Sequence, residues 1–323
     1  MFKVGILGCG NIASHMASEI NELDNVELYA VASRSQDKAD EFAEKWNATK
    51  AYDSYDKLAA DEQVDLIYVA TPHTFHYEHT MLCLKAGRNV LVEKPFAINR
   101  TQADEMVQYA QEHNLFLQEA MWTRFVPHRM EIADYINSNK LGKLCNVEAE
   151  FCLNLTGVPR LTQLDLGGGA LLDLGIYCLT SADMFLDGSS VTFKETECFK
   201  YATSVDGTDY IRFTNESGQK ALLKTSMMQG EANYAFLYFE KGYIYINGIN
   251  NLDSYTVFDN KGQVLYASQS LEGKGYKYEV LASQKAIAEG KNCCDEMTSQ
   301  DTLRLMEWMD ELRQCWSVKY PME

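Results

Sequence analysis

The chain has 323 residues, is 46% hydrophobic and contains only 5 prolines, which is long enough for two domains, each with its own core. Its formal charge of −17 argues against nucleic acid or an anionic membrane as partner, because phosphate backbones are bound by clustered Lys and Arg. No run approaches the apolar length of a membrane span, and Lys3-Val4-Gly5-Ile6-Leu7 opens the chain without a signal-peptide pattern, so a soluble, cytoplasmic protein is expected.

A strand over 2–7 leads into a helix over 11–23. A strand over 26–32 follows, then a helix over 35–46 opening on Ser35 as its cap. Next come a short strand at 50–52, a strand over 65–70, a helix over 75–86 and a strand over 89–92. A helix over 100–112 and a strand over 115–118 end the alternation. Near-continuous apolar strands between helices are the pattern of a parallel sheet covered on both faces, a doubly wound α/β fold. After about residue 145 the character changes. Runs rich in Tyr, Phe, Val and Thr at 147–153, 191–201, 208–214, 220–228, 235–239, 242–247 and 254–258 are separated by turns such as Asn215-Glu216-Ser217-Gly218 and Asn260-Lys261-Gly262. A large, mostly antiparallel sheet is expected there, with helical periodicity returning over 278–289 and 299–317. The division is a Rossmann domain over 1–120 and an α+β domain over 121–323.

Nine cysteines are an odd count without a CxxC pair or Cys/His cluster, so reduced thiols and no metal are expected. Cys9 reads as a small tolerated side chain. Adjacent Cys293-Cys294 has no assigned role.

Gly8-x-Gly10-x-x-Ala13 follows the first strand and opens the first helix, the context of a dinucleotide fingerprint. Gly8 allows the tight turn, Gly10 lets a pyrophosphate approach the backbone, and Ala13 seats the helix on the strand. The stretch Gly8, Gly10, Asn11, Ile12 and Ala13 is thus the candidate phosphate cradle, facing a helix N-terminus. An NAD site places Asp or Glu at the end of the second strand. This chain has Ser33-Arg34-Ser35 and then Lys38, groups suited to a 2′-phosphate. The cofactor expected is NADP, ahead of NAD, with a solvated loop arginine as the bland alternative.

Glu93-Lys94-Pro95 closes the fifth strand, so Lys94 points toward the crevice where open α/β sheets bind ligands; a surface lysine beside a turn is the alternative. Together, Gly8-x-Gly10-x-x-Ala13, Ala70-Thr71-Pro72-His73-x-x-His76, Glu93-Lys94-Pro95 and Gly167-Gly168-Gly169-Ala170-Leu171-Leu172-Asp173-Leu174-Gly175-Ile176-Tyr177 resemble the glucose–fructose oxidoreductase/inositol dehydrogenase/rhizopine catabolism (Gfo/Idh/MocA) family. Tyr177, where many members carry His, and Glu119-Ala120-Met121-Trp122-Thr123-Arg124-Phe125 are similar to its dihydrodiol and D-xylose dehydrogenase branch.

The resemblance implies an NADP-linked dehydrogenase of a secondary alcohol, in a trans-dihydrodiol or an aldose. Tyr177 is then the proton donor and acceptor, Lys94 the cation that favours its phenolate, and Asp173 a supporting group. Thr71, Pro72, His73, His76 and Glu93 are expected around the cofactor, and Trp122, Arg124 and Phe151 around the substrate. Each aromatic residue also reads as core, and Asp173 as a partner for buried backbone. Family relatives pair through the open face of the second sheet, which implies a homodimer or higher homo-oligomer. Another polyol or sugar dehydrogenase, and a regulator that binds NADP without turnover, are the competing functions.

Overall fold

Val4, Ile6 and Leu7 are fully buried in β1 (Phe2–Leu7), and that strand is the axis of the N-terminal sheet. The chain continues through α1 (Asn11–Ile20), β2 (Val26–Ala32), α2 (Gln36–Trp46), β3 (Lys50–Tyr52) and α3 (Tyr55–Ala59). It then forms β4 (Leu66–Val69), α4 (His76–Lys85), β5 (Val90–Glu93), α5 (Arg100–Glu112) and β6 (Leu117–Ala120). All six strands are parallel, in the order β3-β2-β1-β4-β5-β6. The order reverses between β1 and β4, so a crevice opens beyond their carboxyl ends. Burial on both faces explains the unbroken apolar runs: every residue of β4 and β5 is buried. The expected Ser35 cap is present, with Lys38 N donating to Ser35 Oγ at 3.4 Å.

The computed structural model describes residues 1–186 and 190–323. They form two compact units, Met1–Trp122 with Gly275–Met306, and Thr123–Lys274 with Glu307–Glu323. The second unit begins with α6 (Pro127–Asn137) and β7 (Leu144–Cys152). A π-helical turn, Leu171–Gly175, runs on into α7 (Ile176–Phe185). There follow β8 (Val191–Lys200), β9 (Asp206–Asn215), β10 (Lys220–Ser226), β11 (Ala232–Phe239), β12 (Gly242–Asn247), β13 (Ser254–Asp259) and β14 (Val264–Ala267). The eight-stranded sheet has the order β14-β13-β12-β11-β7-β10-β9-β8. It is antiparallel except where β7 pairs with β10. Period-two burial puts Ala235, Leu237, Ile244 and Ile246 on the core face, against which α7 packs. Tyr234, Phe236, Tyr238, Tyr243 and Tyr245 line the other face.

The chain ends with α8 (Tyr276–Ala288) and α9 (Ser299–Trp316). The segment 275–306, which the sequence division gives to the second domain, packs with the first unit. Glu19 on α1 accepts from Gly275 N at 3.1 Å and Lys277 N at 2.8 Å, and Gln118 Oε1 accepts from Cys294 N at 2.8 Å. No helix among the described residues is long and apolar enough to cross a membrane.

Candidate active site

In the first unit, the carboxyl ends of β1, β2, β4 and β5 carry the predicted cofactor residues. Gly8 has φ +105°, and a Cβ there would stand 3.0 Å from the Ala70 carbonyl and 3.2 Å from Thr71 Cγ2. Only glycine lets the turns after β1 and β4 meet so closely. Gly10 and Asn11 are exposed, Ile12 is half-buried, and Ala13 is fully buried against the sheet. Gly10 caps α1 without a side-chain hydrogen bond, and a Cβ on it would touch nothing within 4 Å. The helix start therefore faces open space with its amides uncapped by side chains, and a dinucleotide pyrophosphate fits it. Burial pushes the Cys9 thiol up to about 11, which keeps it protonated and rules it out as a nucleophile.

At the end of β2, Ser33 is buried while Arg34 and Lys38 are exposed. The Arg34 charge is near enough to Tyr55 and His79 to act against the burial-driven rise of the Tyr55 phenol and to add to the fall of the His79 ring. Thr71 is 8% exposed, and its hydroxyl bonds His79 Nδ1 at 2.9 Å. Pro72 is exposed and His73 buried.

Two residues expected at the cofactor are committed inside the protein. His76 is 1% exposed, and both ring nitrogens face backbone carbonyls, Pro95 O at 2.7 Å from Nδ1 and Thr71 O at 2.9 Å from Nε2, of which a neutral ring donates to one. Burial above all, then the neighbouring His73, push its ring down to about 3. It is a strut between the turns after β4 and β5. Glu93 is 6% exposed and accepts from the Tyr68 hydroxyl and from Lys94 N. These bonds and the Phe96 N bond to Glu119 Oε1 at 3.1 Å fix the backbone around Lys94, which is half-buried and followed by a cis peptide to Pro95. Trp122 stacks on Tyr276, with centroids 4.1 Å apart and planes 18° from parallel. Periodicity did not single out Tyr276, because its partner lies far back in the chain.

In the second unit, Asp173 and Tyr177 share the helical segment formed by the π turn and α7. Both are nearly buried, at 7% and 6% exposed. Phe151 on β7 meets Tyr177 edge-on, 5.5 Å between centroids. Arg160, which the sequence reading did not single out, donates to Asp173 Oδ1 at 3.1 Å and remains 47% exposed in its side chain. Arg124 behaves differently from the expected substrate contact. It is 3% exposed and forms an ion pair with Asp183 on α7. The structure thus sets Phe151 against Tyr177, pairs Asp173 with Arg160, and gives Arg124 the partner Asp183.

Residues 2–121 match the model of an oxidoreductase family with an NAD-binding Rossmann fold. Residues 130–245 match the GFO/IDH/MocA C-terminal domain. Trans-1,2-dihydrobenzene-1,2-diol dehydrogenase of Xenopus laevis is 32% identical over 327 residues, 99% of each chain. The mouse (Mus musculus) protein of that name is 30% identical over 329 residues, 99% of this chain and 98% of its own. Among solved structures, the 3-ketoreductase KijD10 from Actinomadura kijaniata, in complex with NADP and TDP-benzene, superposes with a TM-score of 0.85 at 26% identity and 97% coverage of both chains.

Proposed function

We propose, from the premise that this chain belongs to the Gfo/Idh/MocA oxidoreductase family, that it is an NADP(H)-dependent dehydrogenase. Its substrate class is a secondary alcohol of a trans-dihydrodiol or of an aldose such as D-xylose, and it also runs the reverse carbonyl reduction. The observation that supports this reading is the nearly buried Tyr177 phenol, met edge-on by Phe151 and lying four residues after a nearly buried Asp173. A bound nicotinamide supplies hydride transfer. Tyr177 takes the proton of the carbinol hydroxyl on oxidation and returns it on reduction. A free phenol, with a pKa near about 10, is a weak base at neutral pH, and a nearby cation favours its phenolate. Lys94 is assigned that role, and Asp173, steadied by Arg160, orients the reacting hydroxyl.

The preference for NADP rests on exposed Arg34 and Lys38 at the end of β2 and on the lack of a carboxylate there. The diol reading is supported by full-length relatives named dihydrodiol dehydrogenase. Homodimerisation through the aromatic face of the second sheet, and a cytoplasmic location, belong to the same reading. Light scattering that finds a monomer removes the first.

The decisive assay follows nicotinamide absorbance with NADP, a trans-dihydrodiol and a panel of aldoses. Wild type should turn over, Tyr177→Phe should lose at least about a hundredfold in kcat, and a double-mutant cycle with Lys94→Met should show strong coupling. Binding of NADP without turnover of any diol, aldose or inositol would replace the enzyme by a sensor. Full activity in Tyr177→Phe would reassign the proton transfer.

A further inference from the structure

The start of the segment that carries Asp173 and Tyr177 is held by a carboxyl group that the proposed chemistry does not use. Leu171 N donates to Asp206 Oδ2 at 2.6 Å, and Asp206 is 0% exposed. The same carboxyl lies directly on the glycine turn. A Cβ on Gly169, whose φ is +130°, would stand 2.1 Å from Asp206 Oδ1. Only a residue without a side chain lets the carboxyl reach the first helical amides. From the other side, the Tyr320 hydroxyl donates to Gly168 O at 2.8 Å.

Three residues along β9, Asp209 is also 0% exposed. Neither of its oxygens, nor Asp206 Oδ1, accepts a hydrogen bond from an N–H or O–H group. Two adjacent carboxyls out of water do not both ionise; a proton carried by Asp209 and donated to Asp206 satisfies both. The direction agrees. Burial, then the charge of Asp206, push Asp209 well above the usual carboxyl range. Burial raises Asp206 too, but the Leu171 amide and Asp209 act against that rise. The other titratable groups facing the pair are the Cys198 thiol on β8 and the Tyr320 phenol, both pushed up by burial and so neutral. Arg313 lies over the Tyr320 ring at 4.8 Å and is paired with Glu323 and Asp310.

We propose that Asp206 is a positioning residue: its carboxylate, completed by a proton resident on Asp209, fixes the glycine turn and first amide of the Asp173–Tyr177 segment. The functional half of this rests on the assignment of Tyr177 above; the structural half does not.

The test compares Asp206→Asn with Asp209→Asn. The amide in Asp209→Asn reproduces the donated hydrogen, whereas Asp206→Asn removes the anionic acceptor of Leu171 N. Asp206→Asn should lower kcat by at least about tenfold while the Kd for NADP stays within about twofold. Asp209→Asn should stay within about twofold of wild type in both. Hydrogen exchange at the Leu171 amide, which needs no turnover, should quicken at least about tenfold in Asp206→Asn alone. Unchanged exchange there, or equal damage in the two variants, overturns the clamp even if Tyr177 proves catalytic. Loss of the Tyr177 role with the exchange result intact would leave the clamp standing and reassign only what it positions.

Should Asp206→Asn fail to fold, the pH dependence of Asp209→Asn decides. A carboxyl raised in the folded state stabilises below its unfolded value, about 3.9, and that contribution is lost as pH rises toward the folded value. The melting temperature of Asp209→Asn minus that of wild type should therefore grow as pH rises above about 4. A difference that is flat or shrinks refutes the shared proton.

Discussion

The proposed preference for NADP makes Arg34 the residue to test. It is exposed at the end of β2, and a charge-assisted bond to a 2′-phosphate is worth about tenfold to a hundredfold in affinity. Arg34→Ala should lower the NADP-over-NAD preference in kcat/KM by that factor, with activity on NAD nearly unchanged; an unaltered ratio removes Arg34 from the site. His76 calls for a different measurement. Its ring falls from 6.5 to about 3 on folding, so its contribution is complete above pH 6.5 and drains away as pH falls toward 3. The gap in melting temperature between wild type and His76→Asn should be widest at neutral pH and narrow in acid. The two histidines show where motif reading reached its limit. Thr71-Pro72-His73-x-x-His76 locates the loop, but the sequence does not say that the His76 nitrogens face backbone carbonyls, because those carbonyls belong to residues whose positions only the folded turns define.

Among elements, the glycine turn before the π helix is the most constrained. Gly169→Ala places a methyl in the Asp206 carboxyl and forces a φ of +130° on an L side chain. The backbone conformation alone costs about 1–3 kcal/mol, and chemical denaturation should report at least that loss, together with a fall in kcat. The far end of the same helix is held by the Arg124–Asp183 pair, with side chains 4% and 2% exposed. Arg124→Met should destabilise by about 3–5 kcal/mol because it takes the cation away from a buried carboxylate, while Arg124→Met with Asp183→Leu should recover most of it. The outer strands and helices of the first unit were legible from periodicity, since each is long enough to show its pattern. The α7 segment was not: Ile176 through Ala182 are buried all round, and a helix without a wet face has no amphipathic stripe to read. The short α3 and β14 lacked the length to register.

At the scale of the whole molecule, the parallel sheet followed by an antiparallel one was visible from the change in strand composition alone. The return of 275–306 to the first unit was not, because α8 carries no local mark of its partner. It meets α1 through Glu19, 256 residues back, and Gln118 reaches Met297 O across 179. A chain ending at residue 122 should therefore melt broadly and bind a hydrophobic dye, and joining 275–306 to it should restore a sharp transition; a sharp melt of the short chain alone would show that the return segment is dispensable. This threading also sets an order of events at the ribosome. At about 5–20 residues per second, the stretch between α1 and its α8 partner takes on the order of tens of seconds to make. Through that interval the nascent Rossmann sheet stands with the α8 seat on α1 uncovered. The first helix thus gains its α8 partner only after all eight strands of the second sheet have been translated.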